Sequence, residues 1–126
     1  MLNTKMSTLT KFEYAYRDAS NYKAHGHILL EGTLSIEERD EVISRLDGGK
    51  FFIAEQVQVP SLYEALYEFS GGPTADDHCW HEFVQVSDHQ SSVNDDHVWG
   101  ATERLISKFR SVGEWDLRLS PHFSIA

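Results

Sequence analysis

Phe12, Tyr14 and Tyr16 alternate with Lys11, Glu13, Ala15 and Arg17, and this two-residue period predicts a half-buried strand over residues 11–17. Asp18, Ala19, Ser20 and Asn21 carry turn chemistry. Alternation then resumes: Ala24, Gly26, Ile28 and Leu30 share one face, and His25, His27 and Leu29 the other. That pattern predicts a second strand over about residues 23–31, so that the two form a hairpin.

The period then changes. Ser35-Ile36-Glu37-Glu38 reads as a capping box, with Ile36, Val42, Ile43 and Leu46 as the apolar stripe of the helix it opens. Asp47-Gly48-Gly49 stops that helix, because glycine tolerates a left-handed cap. Residues 51–60 read as extended. Ser61-Leu62-Tyr63-Glu64 is a second capping box, followed by Leu62, Ala65, Leu66 and Phe69 at helical spacing and a stop at Gly71-Gly72-Pro73. A third strand is expected over 80–87 and a polar loop over 88–96. Val98, Ala101, Leu105, Phe109 and Val112 mark the buried stripe of a third helix over about 97–112, capped at Gly113. Trp115, Leu117 and Leu119 alternate as a last strand before Pro121. The order β-β-α-α-β-α-β predicts an α+β fold: a mainly antiparallel sheet of about four strands with two to three helices on one face. Residues 1–10 show no periodicity and are expected to be a frayed segment ahead of one domain over 11–126.

The 126 residues suffice for one core, with 40% hydrophobic and 25% charged residues. A formal net charge of −9 argues against long nucleic acid as a partner, while a small anion in a local basic pocket stays open. The one cysteine, Cys79, forms no internal disulfide. Neither a signal-peptide run nor a membrane-length apolar stretch is present, so a cytoplasmic, membrane-free protein is expected.

Asp76-Asp77-His78-Cys79-Trp80-His81-Glu82 is the densest polar cluster. Carboxylates and imidazoles in one short run are metal-site material, and Asp76, Asp77, His78 and His81 are the candidate ligands. On a strand His78 and His81 would point to opposite faces, and a turn capped by aspartates has the same composition. Asn94-Asp95-Asp96-His97 reads as a helix N-cap. Arg104, Lys108 and Arg110 are the one basic concentration. Arg104 and Lys108 share a helix face, where they would either hold phosphate oxygens or sit solvated near a helix C-terminus. Arg17, Asn21, Tyr22 and Lys23 group at the first hairpin turn, where tyrosine can stack on a base and asparagine can pair with its edge; ordinary turn residues would look alike. No familiar nucleophile or phosphate-loop motif appears.

Three words stand together: Tyr16-Arg17-Asp18-Ala19-Ser20-Asn21-Tyr22-Lys23, Phe51-Phe52-Ile53-Ala54-Glu55-Gln56-Val57 and Asp76-Asp77-His78-Cys79-Trp80-His81. They resemble a group of small bacterial and phage proteins. The early YRDxxNYK-like hairpin and the later DDH before a strand are similar to the phage Thoeris anti-defence sponge proteins. The likeness covers about residues 12–87 and, more loosely, Ser120-Pro121-His122-Phe123. It implies a small, oligomeric, non-catalytic protein that sequesters cyclic ADP-ribose-type immune signals or cyclic oligonucleotides. The positions it carries across are Arg17, Asn21, Tyr22 and Lys23 in the first word and Asp77, His78 and Phe83 around the second.

The leading expectation is therefore a cofactor-free, homo-oligomeric binder of a small phosphate-bearing nucleotide signal, in the host cytoplasm if phage-encoded. A metal-dependent hydrolase built on the Asp/His cluster is one alternative. An acidic domain that inhibits a basic protein partner is another.

Overall fold

A computed structural model describes residues 8–17, 23–63, 80–90 and 97–119. At its centre, β1 (Thr8–Arg17) pairs antiparallel with β2 (Lys23–Glu31), in register from Leu9 opposite Glu31 to Arg17 opposite Lys23. This is the expected hairpin. β1 begins at Thr8, so residues 8–10 belong to the sheet rather than to a frayed segment.

Ser35 caps α1 (Ile36–Arg45): its hydroxyl accepts the Glu38 N–H while the Glu38 carboxylate accepts the Ser35 N–H, as the capping-box pattern requires. After the helix, Gly48 and Gly49 adopt φ of 62° and 75°, which turns the chain back into β3 (Phe51–Ile53). Val42 and Leu46 are buried on α1 and Ile43 is half-buried, but Ile36 is 73% exposed and lies outside the buried stripe.

Four expectations are corrected. The sheet has five strands, ordered β3-β4-β1-β2-β5, and is mixed: β4 (Trp80–Gln90) is antiparallel to β1 and β3, whereas β5 (Val98–Ala101) runs parallel to β2. Residues 51–60 are not uniformly extended, because a one-turn helix, α2 (Ala54–Val57), follows β3 and ends at Gln58 in the left-handed region. The third helix, α3, spans Thr102–Arg110 with Ala101 as N-cap, so Val98 to Ala101 are strand and the Asn94–His97 run does not cap it. Pairing of Val98, Gly100 and Ala101 with the edge of β2 overrides the helical spacing of Val98 and Ala101. Finally, residues 115–119 form no strand; Leu117–Leu119 is a 3-10 turn. The side chain of Gln56 takes the backbone groups a neighbouring strand would have used, donating to the Glu114 carbonyl at 2.9 Å and accepting the Asp116 N–H at 2.7 Å. Of the helix expected after Ser61, the part beyond Tyr63 lies outside the described residues.

The main hydrophobic cluster lies on one face of the sheet, while Leu9, Ala15 and Leu29 are buried on the other. Phe12 and Tyr14 of β1 and Ile28 and Leu30 of β2 meet Leu105, Ile106 and Phe109 of α3 and Val42 of α1. Phe52 of β3 closes one side, with its ring 5.7 Å from that of Tyr14 and 5.9 Å from that of Phe109. The expected stripe Leu105, Phe109 and Val112 is buried. Among the described residues no helix is long and apolar enough to cross a membrane.

Candidate functional site

The hairpin register sets Arg17 directly opposite Lys23 on the sheet face away from the core. β4 reaches the same corner from the other side of β1, with His81 opposite Tyr16 and Glu82 opposite Ala15. Glu82 therefore projects on the face that carries Arg17 and Lys23. Its carboxylate lies 3.6 Å from Arg17 Nε and 3.7 Å from Lys23 Nζ. The carboxylate is mostly covered, at 13% exposure, while Arg17 and Lys23 keep 40% and 29% of their side-chain surface, so both cations remain reachable from solvent. His25, opposite Ala15, is exposed beside them. Two cations gathered on one carboxylate suit an anionic group arriving from outside, since guanidinium and ammonium each donate charge-assisted hydrogen bonds.

Glu82, although part of the polar run from Asp76, and His25 were not among the candidate site residues of the sequence. Glu82 adjoins the DDHCWH word, and strand alternation from a core-facing His81 puts it on the outer face; the missing information was the pairing of β4 with β1, which contains a bulge between Glu13 and Tyr14. Asn21, Tyr22, Asp76, Asp77 and His78 lie outside the described residues.

His81 is a core residue. It is fully buried, and the rings of Tyr14, Tyr16, Phe52 and Tyr63 surround it at 5.1–5.9 Å. Its Nε2 accepts the Leu62 N–H at 3.0 Å. That lone pair is therefore committed to holding the 60–63 segment and is not presented to a metal ion. Tyr14 holds the same segment by donating its phenol to the Pro60 carbonyl, and burial pushes that phenol above the usual tyrosine range. Among the described residues no three His, Cys, Asp or Glu side chains converge as a metal site.

Phe83 shares the core face with Tyr14, on the opposite side of the sheet from Arg17 and Lys23. It is half-buried, with its ring 5.4 Å from that of Phe12.

Two of the three basic residues of α3, Arg104 and Arg110, are engaged by other parts of the chain. Arg104 folds back: Nη1 donates to the Trp99 carbonyl at 2.7 Å, and the guanidinium stacks 4.2 Å from the centre of the Trp99 ring. Gly100 leaves room for this, because a Cβ there would lie 2.8 Å from Arg104 Cδ. Arg110 clasps Glu41 of α1 through two bonds of 2.6 and 2.8 Å, and these bonds hold the Glu41 carboxyl below the usual carboxylate range. Lys108 is half-buried. α3 follows directly from β5, which pairs with β2 at Leu29–Glu31. Lys23 is at the other end of β2, roughly 20 Å away at about 3.3 Å per strand residue. Within one chain, the hairpin cations and the start of α3 are separate places.

Compared with known proteins, the chain matches no family model, no curated sequence and no solved structure.

Proposed function

We propose that this protein binds a small phosphate-bearing nucleotide signal, such as a cyclic ADP-ribose isomer, without altering it, and does so as a phage anti-defence protein. The binding place is the hairpin end of the sheet. One observation supports this reading above the others: the pairing of Tyr16 with His81. It sets the end of β1, which enters the YRDxxNYK word, beside the start of β4, into which the DDHCWH word leads. The described ends of two words far apart in the chain thus meet at one corner, with Arg17 and Lys23 partly exposed there on Glu82. Phosphate oxygens would be met by Arg17 and Lys23. Asn21 and Tyr22, which stand between them in the sequence, would supply the amide and the ring that suit a base. The metal-hydrolase alternative draws no support from His81, whose Nε2 is taken by Leu62.

The experiment is recovery of the ligand. Purified protein is incubated with cyclic ADP-ribose isomers and with cyclic di- and trinucleotides, freed of excess ligand, and denatured. The released molecule is then identified by mass spectrometry. Retention and intact release of one of them is expected. Release of a converted product would move the case to hydrolysis, and no retention of any of them would sink the nucleotide reading.

A further inference from the structure

β3 covers only the first part of the outer edge of β4, pairing with Trp80 to Glu82. Among the described residues nothing pairs with that edge from Val84 to Asp88. The β-bulge leaves Val84 without a partner on β1, and Val84 is 42% exposed. From Gln85 onward the register with β1 is regular again, so the strand offers a straight edge there. Exposed edges in soluble proteins are usually blunted with charged side chains, above all lysine, with proline, with a bulge or with a cover. Val84-Gln85-Val86-Ser87-Asp88 carries no lysine or proline, its bulge is confined to Val84, and its one charge is Asp88.

Beside this edge runs a groove between β4 and α1. It consists of two adjoining hollows of about 260 and 270 Å³, which share Arg39 and Val86 as lining. Its apolar part comes from Leu34, Ile36, Ile43, Phe83, Val84 and Val86. Ile36, the residue of α1 that escaped burial, is therefore placed along the groove at 73% exposure. Arg39 lines both hollows, and among the described residues no carboxylate pairs with it. Asp88 also lines the first hollow.

We propose that this edge and groove form a self-association surface, on which a second copy of the chain lays its own β4 antiparallel, about a twofold axis at Ser87. The charges choose the occupant. With the axis at Ser87, Val86 of each copy faces Asp88 of the other. Each Asp88 then arrives beside the Val86 that Arg39 flanks, and the same Arg39–Asp88 contact forms twice. Backbone hydrogen bonds extend the sheet across the axis, while Ile36 and Val84 lose their exposure to water. A strand from another protein would gain the backbone bonds but not the paired charges. This inference does not depend on the proposed ligand.

Sedimentation over a wide concentration range, at physiological ionic strength, tests it. The wild-type chain is expected to associate as a dimer or a multiple of one. Arg39→Asp and Asp88→Arg each reverse one charge at an exposed position, and each should weaken association at least about tenfold. The double variant carrying both changes should restore it. Val84→Lys, an edge-blunting change, should weaken it too. Thermal melts show whether each variant is folded, and a variant that does not fold is replaced by Asp88→Asn, with the same expectation. A wild-type chain that stays monomeric throughout overturns the proposal, even if the groove then captures an added extended acidic peptide. So does an assembly indifferent to the reversals, or one that the charge swap does not restore.

Discussion

The buried imidazole of His81 accepts the backbone N–H of Leu62 through Nε2 at 3.0 Å, and so ties the 60–63 segment to the centre of the sheet. This contact anchors the His81 end of the DDHCWH word in the core. His81→Ala would leave the Leu62 N–H without its acceptor and open a cavity among four aromatic rings. A loss of about 2–4 kcal/mol is expected in denaturant melts. A change below about 0.5 kcal/mol would mean that the segment is held by something else.

Tyr14 supplies the second tie, to the Pro60 carbonyl. Tyr14→Phe keeps the ring and removes the bond, for an expected cost of about 1–2 kcal/mol near neutral pH. The pH dependence has a definite sign. Burial raises the phenol's pKa in the folded state, so folding retains the proton. That contribution is complete below the ordinary tyrosine value of about 10 and is lost as pH rises through the folded value. Melts across the alkaline range should therefore show the wild-type chain losing more stability than Tyr14→Phe. Parallel alkaline limbs would contradict the assignment.

α3 separates a buried stripe from an exposed clasp. Leu105→Ala and Phe109→Ala should each cost about 2–5 kcal/mol, as large-to-small changes in a core do. Arg110→Ala touches only the exposed pair with Glu41, and at neutral pH its effect on stability should be much smaller than either. Glu41 has a lowered pKa, so its contribution is present above the usual carboxylate range and is lost as pH falls through the lowered value. The acid limb of Arg110→Ala should be the flatter one. Equal losses for Arg110→Ala and Leu105→Ala would show that the buried face of α3 is misassigned.

The local signals in the chain were legible. The alternation of Phe12, Tyr14 and Tyr16, the Ser35–Glu38 box and the Gly48-Gly49 stop each act over a few residues and appear where expected. Non-local partners were not legible. Val98 and Ala101 fit a helix until the edge of β2 offers them a parallel partner, and Trp115 fits a strand until Gln56 takes the neighbouring backbone groups. The candidate site divides the same way. Arg17 beside Lys23 follows from a hairpin alone, whereas Glu82 beneath them requires the register of β4 on β1. The spacing of Arg104 and Lys108 suggested a phosphate cradle, and nothing in that spacing reveals that Trp99 takes the Arg104 guanidinium.

If a phosphate-bearing nucleotide binds at the hairpin end, calorimetry on three single variants separates the hairpin cations from those of α3. With whichever cyclic nucleotide the wild-type chain retains, Arg17→Ala and Lys23→Ala should each weaken binding at least about tenfold, as loss of a charge-assisted phosphate contact worth about 1.5–3 kcal/mol implies. Arg104→Ala, at the far end of β2, should leave the affinity unchanged. Wild-type affinity in both hairpin variants, or a loss confined to Arg104→Ala, would contradict the account.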